Sequence, residues 1–169
     1  MNVTHSLDAY ILRCIHRRCN YTTDVVVLAK AYLECALTVK TDKYAADDAI
    51  RYYSDLYNRS GMADVVILPH LNDRNVRALD EQHIKDLLAI IETMLVHKPF
   101  EVVTVHDEFR CHANYMNNLR QHYINIFAEL AESTVLEMIL SGIYGKPGKY
   151  KKLSTDLGDL IRESSYALC

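Results

Sequence analysis

Residues 101–112, "EVVTVHDEFRCH", hold the side chains best suited to chemistry: His106, Asp107 and Glu108 follow one another directly after a run of β-formers. Phe109 and Cys111 then alternate with Arg110 and His112. That alternation predicts two short antiparallel strands, 102–105 and 109–111, with 106–108 at a tight bend. A carboxylate at such a bend protrudes from a stiff backbone. Mg²⁺ takes one or two carboxylates and completes its shell with water and phosphate oxygens. Asp107 and Glu108 are therefore candidate metal ligands. Asp is equally common in ordinary hairpin turns, so spacing alone leaves both readings open.

The elements that must carry this hairpin are mostly helical. Leu7, Tyr10, Ile11, Cys14 and Ile15 follow a helical apolar period, with Thr4 or Ser6 as a cap. A second helix is expected over 22–38, although its Val25-Val26-Val27 run favours strand. Asp42 is the expected cap of a third helix, which Gly61 ends. "DVVILP", 64–69, reads as a short strand closed by Pro69. Asp80 caps the next helix, with Leu79 and Ile84 placed as a hydrophobic staple and Lys98-Pro99 as its end. After the hairpin, Asn114 is the expected cap of one long helix over about 115–142. A Gly-, Pro- and Lys-rich loop over 145–152 and a short helix over about 155–162 follow. The expected fold is α+β, mostly helical, with the 101–112 hairpin packed against the first and the long helix.

Composition narrows the function classes. A chain of 169 residues, half of them hydrophobic, can bury a core and is not a disordered type. The net charge of −3 gives no global basic footprint for nucleic acid. Five cysteines without disulfide spacing suggest reduced thiols in a cytosol-like compartment. No secretory leader pattern is visible, and no apolar run approaches the ~20 residues of a membrane span. His5, Cys14, His16 and Cys19 fit no zinc module, since Cys14 belongs to the apolar helix face. Two basic clusters could meet phosphates: Arg13, Arg17 and Arg18 on the first helix, and Lys146, Lys149, Lys151 and Lys152 in the late loop. A solvated basic face explains each equally well. The twelve tyrosines sit mostly at helix-face positions that suit packing.

"TVHDEF" resembles the third palm motif of single-subunit, phage-type RNA polymerases, a hairpin carrying a His-Asp pair whose Asp binds the catalytic metals. The same element of family A DNA polymerases reads Val-His-Asp-Glu, which also matches. Two further stretches resemble the RNA polymerases. "NVTHSLDAYILR", 2–13, is similar to the helix before that hairpin, with His5, Ser6, Asp8 and Arg13 at the matching positions. "LIRESSYALC" is similar to the family's C-terminal pattern, and the 62 residues after Asp107 suit a phage-type extension. The resemblance covers about a third of the chain, in the family's order.

The resemblance implies DNA-templated attack of an RNA 3′-hydroxyl on a nucleoside triphosphate. Asp107 would hold Mg²⁺, His106 would support the hairpin or touch the RNA end, and His5 would face the nucleic acid. Arg13, Arg17, Lys149 and Lys151 are the candidate phosphate contacts, and the cytoplasm of an infected bacterial host is the expected compartment. The departures are specific. Residues 22–98 separate the helix from the hairpin, so the expected organisation is a palm helix over 1–21, a helical insertion with a short strand over 22–98, and hairpin, long helix and tail over 99–169. Glu108 replaces the family's usual Ser. The first palm Asp motif and the basic fingers helix are missing, and "IYG" at 143–145 does not replace them. Two-metal chemistry needs both ions clamped. The expectation is a C-terminal palm part or split subunit of a phage DNA-directed RNA polymerase, inactive without the remaining polymerase domains. A family A DNA polymerase fragment and a non-catalytic helical interaction protein are the alternatives.

Overall fold

The computed structural model describes residues 3–39, 46–105, 108–146 and 150–164. The fold is α+β and mostly helical. Helices α1 (Val3–Cys19), α2 (Thr23–Thr38), α3 (Asp48–Ser60) and α4 (Glu81–Leu95) precede strands β1 (Val103–Val105) and β2 (Glu108–Arg110), and α5 (Met116–Glu132), α6 (Val135–Tyr144) and α7 (Leu157–Glu163) follow. Among the described residues no helix is long and apolar enough to cross a membrane, and the four cysteines Cys14, Cys19, Cys35 and Cys111 are free thiols.

Two hydrophobic clusters build the interior. One runs from Val26 to Met94 and joins α2, α3, α4 and the turns between α3 and α4 around Leu33, Ile50, Leu87 and Ile91. The other gathers Ile11, Ile15 and Cys19 of α1 with Phe100, Val102, Leu119 and Ile126, and takes Met62 from the intervening segment. The chain thus leaves the second cluster after α1, builds the first, and returns at Phe100, whose N–H donates to the Cys19 carbonyl at 2.8 Å. Stacking of Phe100 on Tyr115, 4.5 Å between ring centres, fixes the return.

The hairpin is antiparallel, with Val103 opposite Arg110, Thr104 opposite Phe109 and Val105 opposite Glu108. Glu108 therefore belongs to the second strand, one residue earlier than the alternation implied, and a two-residue connection, 106–107, remains. The strands are not buried on both faces: Val103 and Val105 are exposed, while Thr104 and Phe109 turn inward. Phe109 meets Tyr123 of α5 edge-on at 5.8 Å, which packs the hairpin against the helices.

Several local expectations give way to tertiary partners. Residues 64–69 are not a strand: Val65–His70 forms a 3-10 helix. Among the described residues no strand lies alongside to complete a ladder, so local turns and the Asp64 carboxylate, accepting from the Val66 N–H at 3.0 Å, satisfy the backbone. Val65, Ile67 and Leu68 are buried at helical spacing. Helix α1 runs from Val3, so Thr4 and Ser6 lie inside it rather than at a cap position before it. The cap of α3 is Asp47, accepting from the Ile50 N–H at 2.9 Å; Asp42 lies outside the described residues. Gly61 does end α3 in the left-handed conformation, φ 66°. Asp80 occupies the cap position of α4, though its side chain makes no capping hydrogen bond.

The long helix expected over 115–142 is two helices, and Asn114 does not cap it. His112 caps a 3-10 turn, Ala113–Tyr115, that leads into α5. The break falls at Ser133-Thr134. The Thr134 N–H donates to the Ser60 carbonyl at 2.7 Å, and its hydroxyl donates to the Arg59 carbonyl at 2.9 Å. Both acceptors lie at the C-terminus of α3, where helix carbonyls lack intrahelical donors. That exchange turns α6 away from α5.

Candidate functional site

The sequence-derived site residues fall into three places. His106 and Asp107, the connection of the hairpin, lie outside the described residues, as does Lys149. Glu108, on β2, is gripped by Arg110, whose Nε and Nη2 donate to its two carboxylate oxygens at 3.1 and 2.9 Å. Both side chains are more than half exposed, so the pair contributes little to stability. As a metal ligand Glu108 would first have to release Arg110.

His5 and Asp8 are exposed on α1 and line a groove of about 510 Å³ together with Ile11, Leu12, Phe109 and Tyr123. Residues some hundred positions apart in sequence, the His5–Asp8 turn and the second hairpin strand, thus face one recess. A neighbouring cleft of about 540 Å³ shares Asp8 and Ile11 with that groove and is also lined by Lys151 and Lys152. Lys152 is tied down: its ammonium donates to the carbonyls of Ala131, at 2.7 Å, and Glu132, at the end of α5. A cation is favoured there by the helix dipole.

Arg13 and Arg17 do not join His5. Arg17 pairs with Asp64 at 2.5 Å, on the side of α1 facing the 3-10 helix. Arg18, the third member of that basic cluster, is 1% exposed and bonded at 2.9 and 2.5 Å to both oxygens of Glu129. Burial works against its charge, but the hydrogen bonds and charge of Glu129 outweigh that and raise its pKa. Arg13 is exposed and lines a separate cavity between α1, α3 and α6. The arginine cluster is therefore mostly structural.

Three polar constellations had no signal in the sequence because their partners lie 25 or more residues apart or on other helices. His97 and His122 approach at 2.7 Å through their Nε2 atoms. His97 Nδ1 sits 2.9 Å from the Lys98 carbonyl and so donates there. Its Nε2 then accepts from His122 Nε2–H, which leaves His122 Nδ1 a buried acceptor without a partner among the described residues. Burial pushes the His122 pKa down to about 3, with His97 and Arg18 adding to the effect. Tyr57 donates to Asp86 at 2.6 Å and stacks face to face on His83 at 3.9 Å. Burial brings the His83 pKa down to about 4, against the pull of Asp86 and Asp80. Arg18–Glu129 is the third.

Among the described residues, no group of three or more His, Cys, Asp or Glu side chains is placed to hold a metal ion. Mg²⁺ binding by one or two carboxylates would rest on Asp107 and Glu108 of the hairpin, and Asp8 is the acidic residue that lines the groove. No protein-family model and no curated protein matches the chain.

Proposed function

We propose that the chain is the C-terminal palm part, or a split subunit, of a phage-type DNA-directed RNA polymerase. In this reading it supplies one metal-binding aspartate, Asp107, to nucleotidyl transfer in the cytoplasm of an infected bacterium. The observation that carries the reading is the groove in which His5 and Asp8 of α1 meet Phe109 of the hairpin. The helix motif and the hairpin motif that resemble the polymerase palm are spatial neighbours despite the 22–98 segment between them. That segment packs largely around its own cluster, as an insertion between two parts of one palm would.

Mg²⁺, when bound, would stabilise the charge that develops on the transferring phosphoryl group. This chain's own contribution is positional. The two-stranded hairpin is held on α5 by Phe109 and Tyr123, and Phe109 lines the groove. His5 offers a hydrogen-bonding ring to a nucleic-acid end lying there, and Lys151 offers a cation beyond Asp8 for its backbone. The remaining carboxylate and the basic fingers helix must come from another polypeptide or from sequence upstream, with DNA template, RNA product and nucleoside triphosphates as the ligands of the whole.

The test is affinity purification of the chain from its native background, followed by primer extension. The expected result is a co-purifying polypeptide with a palm aspartate and a basic fingers helix, RNA synthesis by the complex, and none by the 169-residue chain alone. RNA synthesis by the chain alone, or a complex that synthesises RNA equally well with Asp107→Asn, overturns the proposal.

A further inference from the structure

The cavity between α1, α3 and α6 lies apart from the hairpin groove. Its volume is about 270 Å³, near the small end of ligand pockets. Its walls are apolar and aromatic, with Tyr10, Tyr57, Met62 and Met138 among them. Such walls suit a flat ring, since thioethers and aromatic faces both pack well on aromatic rings.

Two polar groups of the lining have bonding capacity left. His83 is 2% exposed. It stacks on Tyr57, and among the described residues neither of its ring nitrogens has a hydrogen-bond partner. A ligand atom in the cavity could supply the hydrogen bond that this ring lacks. The Tyr57 hydroxyl cannot serve, because it already donates to Asp86. The Ser60 hydroxyl is likewise engaged by the Leu56 carbonyl. Arg13 lies on the exposed side and forms no ion pair among the described residues. The carboxylate nearest in kind, Asp64, is held by Arg17. A bare guanidinium beside an aromatic recess selects a planar anion.

We propose that this cavity binds a compact aromatic carboxylate bearing one hydrogen-bonding ring substituent. The ring packs against Tyr10, Met62 and Met138, the substituent meets His83, and the carboxylate meets Arg13. The inference is independent of the polymerase reading, since none of its carriers belongs to the hairpin groove.

The probe is 4-hydroxybenzoate, titrated into the full chain and followed by methyl NMR and calorimetry. The expected result is saturable binding that moves the Met62 and Met138 methyl resonances, with phenol and benzoate binding more weakly. Arg13→Gln should weaken 4-hydroxybenzoate by about three- to tenfold and leave phenol unchanged. His83→Leu should weaken both phenols by a similar factor, and His83→Gln should restore part of the loss. Should His83→Leu fail to fold, Met138→Trp fills the recess and should abolish binding. Absence of saturable binding to the wild type overturns the inference. So does binding that persists in Met138→Trp, or 4-hydroxybenzoate affinity unchanged by Arg13→Gln.

Discussion

Arg18 and Lys30 illustrate how differently two cations on neighbouring helices act. Lys30 reaches Glu34 at 3.6 Å across an exposed helix surface, a contact worth at most a few tenths of a kcal/mol. Arg18 is buried, and Glu129 is what keeps its charge tolerable. Glu129→Gln preserves the shape but strands the guanidinium, so it should cost about 3 kcal/mol. In a chain of this size that is a fall of about 10 °C in Tm. Lys30→Gln should leave the melting curve unchanged, and thermal melting of the two variants side by side makes the comparison. Asp107 tests the functional reading at the same scale. If it serves as a metal ligand, Asp107→Asn should alter stability by less than ~1 kcal/mol, as surface changes do, while lowering RNA synthesis by the complete enzyme by orders of magnitude. Glu108→Gln should be milder on synthesis, since Arg110 already occupies that carboxylate. A large loss of Tm in Asp107→Asn with synthesis intact would make "VHDEF" an ordinary turn.

At the scale of elements, α7 shows a glycine used for close approach. A Cβ at Gly158 would strike the Glu132 side chain. Glu132 is not free to move aside, because Arg162 holds both of its oxygens. The hydrogen bond from Arg162 is the main reason the Glu132 pKa is lowered. Helix propensity alone would favour Ala over Gly by about 1 kcal/mol. The clash should override it at about 1–3 kcal/mol and loosen α7 from α5. Limited proteolysis of Gly158→Ala should show faster cleavage within 150–157, with α1 to α5 remaining protected; a variant as resistant as the wild type would mean α7 docks by other contacts. The 64–70 segment shows the opposite limit of local reasoning. Its β-branched composition suits a strand, but among the described residues no partner strand adjoins it, and a capping Asp makes the tighter turn available.

For the whole molecule, the two buried histidines predict acid sensitivity. His83 and His122 have folded pKa values pushed down to about 4 and about 3, against about 6.5 when unfolded. Above pH 6.5 both are neutral in either state and contribute no pH dependence. As pH falls from 6.5 toward 4, the unfolded chain takes up protons that the folded chain refuses, so stability drops. Each group contributes about 1.4 kcal/mol per pH unit within its own window. Asp47 works in the same direction at lower pH. The Ile50 N–H and Asn75 hold its pKa down, so its contribution is present above about pH 4 and lost below. Urea unfolding between pH 7.5 and 4.5 should show a steady loss of stability, and His122→Phe should flatten the slope. A slope unchanged in that variant would show that His122 protonates as readily in the folded chain.

Periodicity in the sequence determined where most helices lie, that a hairpin follows residue 101, and that Gly61 ends α3, because these features depend on neighbours within a few residues. The resemblance to the polymerase palm marked His5, Asp8 and the hairpin as separate stretches. Tertiary structure alone decided that they share a groove, since α1 and α5 had to pack before residues a hundred positions apart could meet. The division of one predicted helix at Ser133-Thr134 came from the end of α3. The burial of Arg18, the His97–His122 pair and the recess at His83 each needed a partner from another helix. A partner's identity is set by packing, which local pattern does not encode.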